Sequence, residues 1–232
     1  MEPKTSSLTS MTHKASHRYR DLLFDLDGTI IDSFAGVGGS YRYALEKMGI
    51  AVADESELRR VIGPPLSESF EKLYGLVGKK NEEAVSHYRT YYLEHEAVYA
   101  CSLYDGITDA ILKLKERGYR ISLATSKPEK MARMILERKG ITSLFDFIGG
   151  ADESVGRKDK VAVIRYVLSS LESNEVQSTL MIGDRMYDVL GAKELGIDTL
   201  GVLWGFGSER ELSESGVLMT AELPRDLLTY LQ

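Results

Sequence analysis

The sequence predicts an α/β fold, a parallel sheet covered by helices and interrupted after its first strand by a helical insert of roughly 65 residues. Three observations predict it. An apolar run, Leu22 to Leu26, ends at once in Asp27-Gly28-Thr29. Helical patterning without a strand signal fills the stretch from Ala35 to about Ser102, and from Leu103 onward helix and strand patterns alternate.

The first 19 residues are polar, rich in Ser, Thr and basic side chains, and without apolar periodicity, so they read as a flexible tail. Leu22 to Leu26 reads as a short buried strand that puts two carboxylates at its end. In the insert, helices are expected at Tyr41 to Met48, Ser67 to Tyr74 and Glu82 to Glu94, with breaks at Gly49, Gly63-Pro64-Pro65 and Gly75. Beyond it, strands are expected at Arg120 to Thr125, Phe145 to Gly149, Thr179 to Gly183 and Thr199 to Leu203. The intervening helices run from about Pro128 to Lys139, Lys160 to Leu171 and Met186 to Leu195. Ile164, Val167, Leu168 and Leu171 recur at helical spacing, so the second of these has one apolar face to lay on a sheet. The expected organisation is a tail over 1–19, a core made of 20–35 and 103–232, and a helical lid over 36–102.

Hydrophobic residues at 43% and charged residues at 28% are ordinary for a soluble globular chain. No apolar run approaches the roughly 18 residues that a membrane span needs, so a membrane protein is excluded. The formal net charge of −6 argues against a nucleic-acid polymer as partner, which calls for a basic face. Affinity for phosphate would have to come from local features. Cys101, the single cysteine, cannot form an internal disulfide, and the first residues are not apolar, which makes a cytoplasmic location the expectation.

The chemistry starts at Asp25-x-Asp27-Gly28-Thr29. At average usage of roughly 0.06 per residue type, such a string arises by chance about 0.003 times in a chain of this length. In an extended segment Asp25 and Asp27 project to the same side, and Gly28 lets the chain turn sharply after them. Two carboxylates placed so repel unless a cation or a proton lies between them, which disfavours a merely structural acidic turn.

This motif resembles the nucleophile motif of the haloacid dehalogenase superfamily, and three further motifs of that pattern follow in order. Thr125, with Ser126 after it, ends a strand in ISLATSKPE, where main-chain N–H groups near Ser126 and Lys127 could face an anion. GRKDKVAVI offers Lys158 and Lys160; Lys160, directly before the apolar helix, matches the pattern better, and Lys158 stays open. TLMIGDRMYD supplies Asp184 and Asp188 after a buried strand. The resemblance spans the chain from Phe24 to Asp188.

What the resemblance implies is a doubly wound sheet with its site at the carboxyl ends of the strands. The insert resembles the helical cap of the branch that holds phosphoglycolate phosphatases and related nucleotidases and pyrophosphatases, and VIGPPLSESF looks like that branch's substrate-reaching loop. By resemblance, Asp25 is the nucleophile that becomes aspartyl-phosphate, and Asp27 the acid and base. Thr125, Ser126 and Lys160 would hold the phosphate of a small ester. Mg²⁺ would be held by Asp25, the main-chain carbonyl of Asp27, Asp184 and Asp188. Dehalogenases of the family lack the second Asp, so its presence points to phosphate chemistry. A phosphomutase, a pyrophosphatase or a catalytically silent phosphate-binding protein would use the same core.

His87 and His95 lack partners at ligand spacing and do not suggest zinc. Phe70, Tyr74, Tyr88, Tyr91 and Tyr92 make the insert aromatic-rich; packing explains them better than base stacking. Arg185, beside Asp184, either touches substrate or pairs with a neighbouring acid.

Overall fold

The computed structural model describes residues 18–52, 54–172 and 175–232. The tail expected over 1–19 lies outside them except for its last two residues. Of those, Tyr19 is buried and its hydroxyl donates to Asp198 at 2.7 Å.

The core opens with β1 (Asp21–Phe24). A small antiparallel ribbon, β2 (Ile31–Asp32) against β3 (Ser102–Leu103), brackets the insert where the chain leaves and returns. Between them stand α1 (Phe34–Lys47), α2 (Glu55–Arg59), α3 (Leu66–Tyr74) and α4 (Lys79–Glu94). The core then resumes with α5 (Ile107–Glu116), β4 (Arg120–Pro128), α6 (Glu129–Arg138) and β5 (Phe147–Ala151). It continues through α7 (Lys160–Ser170), β6 (Thr179–Gly183), α8 (Met186–Glu194) and β7 (Asp198–Val202). It closes with α9 (Glu209–Ser215), β8 (Met219–Ala221) and α10 (Leu227–Tyr230). No helix among the described residues is long and apolar enough to cross a membrane.

The six-stranded sheet has the order β5-β4-β1-β6-β7-β8, with every neighbouring pair parallel. Successive side chains of a strand face opposite sides, and β1 shows what that does. Leu22 and Phe24 join the apolar cluster that contains Ile107, Ile111 and Leu114 of α5. Leu23 points the other way, into the cluster formed with Val163, Ile164 and Val167 of α7 and Ala192 of α8. A strand buried on both faces reads as a continuous apolar run, which is what Leu22 to Leu26 is.

The strand nonetheless stops at Phe24. The Leu26 carbonyl accepts from the N–H groups of Ile30 at 2.9 Å and Ile31 at 3.0 Å, so a turn takes over the backbone there. The third core strand begins at Phe147, later than Phe145, because Thr142–Leu144 forms a 3-10 turn and the Asp146 carboxylate accepts from the Ile121 N–H at 2.7 Å.

In the insert, the rings of Tyr41 and Phe70 lie 4.7 Å apart, Tyr41 and Tyr88 5.0 Å, and Tyr88 and Tyr92 5.4 Å. These aromatics form the insert's own packed centre. At its entry, a Cβ on Gly36 would stand 2.1 Å from the Ala97 carbonyl oxygen, so only glycine lets the outgoing and returning segments come this close.

Candidate active site

The connections after β1 and β6 leave in opposite directions, toward β4 and β7, which opens a crevice at the carboxyl edge between two adjacent strands. Asp25 stands at the end of β1 and Asp184 at the end of β6, with the Asp25 N–H bonded to the Ile182 carbonyl at 2.9 Å. Gly28 has φ +84°, and a Cβ there would lie 2.1 Å from Asp184 Oδ2. The glycine of the first motif therefore serves both the turn and the close approach of the two acidic loops.

Asp25, Asp184 and Asp188 are buried and each turns one carboxylate oxygen to a common point, all within 4.8 Å of one another. Among the described residues Lys160, also buried, is the only cation within salt-bridge distance of the trio: its Nζ lies 2.9 Å from Asp25 Oδ1 and 2.7 Å from Asp188 Oδ1, and it donates to the Ala124 carbonyl at 2.9 Å. Burial raises the Asp25 pKa to about 6; Lys160 opposes that shift and Asp188 adds to it. Asp184 is pushed well above the ordinary carboxylate value by burial first and then by Asp188 and Asp25. For Lys160, burial works against the charge, but the two aspartates outweigh it and the pKa is raised.

One ammonium among three buried carboxylates leaves negative charge in excess. Asp188 Oδ2 is taken by the Arg185 N–H at 3.0 Å, while its buried Oδ1, though near Lys160, has no hydrogen bond. A hard divalent cation with oxygen ligands fits this donor set. The Asp27 carboxylate does not join the trio; the resemblance enlists only its main-chain carbonyl.

Of the two candidate lysines, Lys160 is the one at Asp25, and its place depends on α8: a Cβ on Gly191 would meet Lys160 Cγ at 2.6 Å. Lys158 is exposed and lines the cavity above. Thr125 is buried at the site, with its Oγ1 accepting from the Lys127 N–H at 3.2 Å, so that N–H is not free for an anion as expected. Ser126 is half-buried and lines the cavity.

Two features went unread in the sequence. The Lys127 ammonium lies 3.0 Å from Asp27 Oδ2, with its side chain only 7% exposed. The loop after β7 packs over Asp184: the Phe206 N–H donates to Asp184 Oδ2 at 2.7 Å, and the Trp204 indole N–H donates to the Thr29 carbonyl at 3.0 Å. Gly205 and Gly207 permit this, since a Cβ would stand 2.4 Å from Asp184 Cβ or 1.8 Å from its carbonyl oxygen. The G-x-G spacing was the available signal. Arg185 pairs with Glu211 at 2.8 Å and reaches the Ile62 carbonyl of the insert, so the pairing with a neighbouring acid is the one of its two expected roles that the structure contains.

Between sheet edge and insert lies a cavity of about 890 Å³, with Asp25, Asp27 and Thr125 on its floor and Val37, Tyr88 and Tyr92 among its upper walls.

The haloacid dehalogenase-like hydrolase family profile matches residues 22–202, and the protein belongs to that family. It is 40% identical over 198 residues to a 5'-nucleotidase of Pseudomonas aeruginosa, covering 85% of this chain and 89% of that one. It is 39% identical over 186 residues to the tyrosine-protein kinase PtkA of Mycobacterium tuberculosis, covering 80% of this chain and 62% of the relative. The crystal structure of a predicted phosphatase from Clostridium acetobutylicum superposes with a TM-score of 0.84 at 37% identity, over 91% of this chain and 97% of that one.

Proposed function

We propose that the protein is a Mg²⁺-dependent phosphatase of small phosphate monoesters that works through a phosphoryl group carried on Asp25. The observation that carries this reading is the convergence of Asp25, Asp184, Asp188 and Lys160 at the end of β1, with Asp27 two residues from the nucleophile.

Asp25, Asp184, Asp188 and the Asp27 carbonyl are the groups that would hold Mg²⁺. When bound, the ion offsets the repulsion between a carboxylate nucleophile and a phosphate dianion. In the first step an Asp25 oxygen forms a bond to phosphorus, the ester P–O bond breaks, and the leaving oxygen takes a proton from Asp27. In the second, water adds to phosphorus and gives its proton to Asp27, and the Asp25–phosphorus bond breaks. Thr125, Ser126 and Lys160 bind the transferring oxygens, where positive charge and N–H or O–H donors act on developing charge. Lys160 also holds Asp25 in place.

The cavity exceeds what an inorganic phosphate fills, and its upper wall comes from the insert, so substrate choice resides in the insert. The branch resemblance and the relatives favour phosphoglycolate-like or nucleotide-like esters. The test is release of phosphate from para-nitrophenyl phosphate with Mg²⁺ and with a chelator, followed by a panel of phosphoglycolate, nucleoside monophosphates, sugar phosphates and pyrophosphate. Metal-dependent release from the artificial ester supports the reading. Full activity in excess chelator would reject the metal site.

A further inference from the structure

We propose that Lys127 is a positioning residue for Asp27, braced by Tyr92 of the insert; this rests on the phosphatase reading above. No role falls to the Lys127 side chain in the four motifs, yet its ammonium is a buried cation paired with the second aspartate. Its Nζ lies 3.0 Å from Asp27 Oδ2, and the two side chains are only 7% and 14% exposed. The other oxygen, Asp27 Oδ1, is buried with no hydrogen-bond partner. One oxygen is therefore pinned and the other is left free for proton transfer.

The pin is fixed from both sides. The Lys127 N–H is held by Thr125 Oγ1 at 3.2 Å, which anchors the residue beside the expected phosphate position. Its ammonium faces Tyr92, 5.3 Å from that ring's centroid, and the two side chains interact electrostatically. Tyr92 belongs to α4, so an element of the insert completes the surroundings of a core residue. As Asp27 hands its proton to the leaving oxygen, negative charge develops on its carboxylate, and a fixed ammonium next to it stabilises that charge without reorganisation. Because Tyr92 rides on the insert, the ammonium is fully braced only while the insert sits over the site, which ties proton transfer to closure.

The test is a leaving-group series with the full-length protein and Mg²⁺, from dinitrophenyl phosphate, whose leaving oxygen needs no proton, to phenyl phosphate, whose leaving oxygen does. K127Q is expected to lose about a hundredfold in kcat/KM on phenyl phosphate and less than about fivefold on dinitrophenyl phosphate. K127R, which keeps the charge, should recover most of the loss, and Y92F should show the same leaning more weakly. Adding K127Q to D27N should cost little more than D27N alone, because the two residues act as one unit. Should K127Q not fold, Y92F decides on the same series. An equal loss on every ester, or a loss that adds fully to that of D27N, would overturn the proposal and make Lys127 a phosphate or folding residue. A wild-type protein that turns over no ester would overturn the phosphatase reading and this one together, whereas a flat series against an active wild type removes only this one.

Discussion

Gly191 of α8 faces the stem of Lys160: a Cβ at that position would lie 2.6 Å from Lys160 Cγ and 2.9 Å from its Cβ. Both are near-backbone atoms of a buried side chain, so they cannot swing aside as a flexible tip would. Alanine is the better helix former by about 1 kcal/mol, which on its own would stabilise α8. The overlap is the larger effect, at about 1–3 kcal/mol for an overpacked core.

Gly191→Ala should therefore lower the melting temperature and cut kcat by at least about tenfold, since a displaced Lys160 no longer sits at Asp25. Thermal melts and steady-state kinetics check both. A more stable variant with unchanged kcat would show that Lys160 has room to spare.

Binding of Mg²⁺ should weaken as pH falls through the range where Asp25 takes up a proton. Burial lifts that carboxyl from 3.8 to about 6 in the metal-free protein, so protons and the cation compete for it. One pH unit below that value should reduce apparent affinity about tenfold. The stability linkage has the opposite sign. A raised native pKa means the native state binds the proton more tightly, so this group's contribution is present below 3.8 and lost as pH rises through about 6. Calorimetric titration and melts of the metal-free protein, with D25N as reference, measure the two effects. An affinity that does not change across the range would contradict the competition.

Arg185→Met should loosen the insert over the site. Arg185 bonds Glu211 at 2.8 Å and also the Ile62 carbonyl, so its loss leaves a partly buried acid and a carbonyl short of a donor, at about 1–3 kcal/mol. The Met186 N–H still holds Glu211 at 2.9 Å, which limits the damage to α8. The expected signature is a higher KM for large esters, with Mg²⁺ affinity retained and small artificial esters affected least. An equal rise for all substrates would place Arg185's role in folding alone.

The core was legible because its signals are local. Three strands carry their polar residue, Asp25, Thr125 or Asp184, directly after an apolar run, and the periodic face of Ile164, Val167 and Leu168 packs on the sheet as its spacing predicts. Lys160 was preferred to Lys158 only for its place directly before the apolar helix, and the local sequence left Lys158 open, since both stand near a helix start. The deciding feature is Gly191, about thirty residues on, which leaves room for one buried lysine stem. The Lys127–Asp27 pair and the Phe206–Asp184 bond escaped for the same reason, each joining loops far apart in sequence. Among missed elements, α5 places Ile107, Ala110, Ile111 and Leu114 at helical spacing and was detectable. The ribbon of β2 and β3 has two residues per strand and pairs across the whole insert, so no local pattern marks it.

The central claim is that phosphate passes through Asp25. Its most direct test is a single-turnover reaction with Mg²⁺, quenched in acid and digested, with the phosphorylated peptide located by mass spectrometry. The account predicts a transient acid-stable, base-labile phosphoryl group on the peptide carrying Asp25, abolished in D25N and longer-lived in D27N. A phosphoryl group on any other residue, or rapid turnover by D25N with no covalent species, would contradict it.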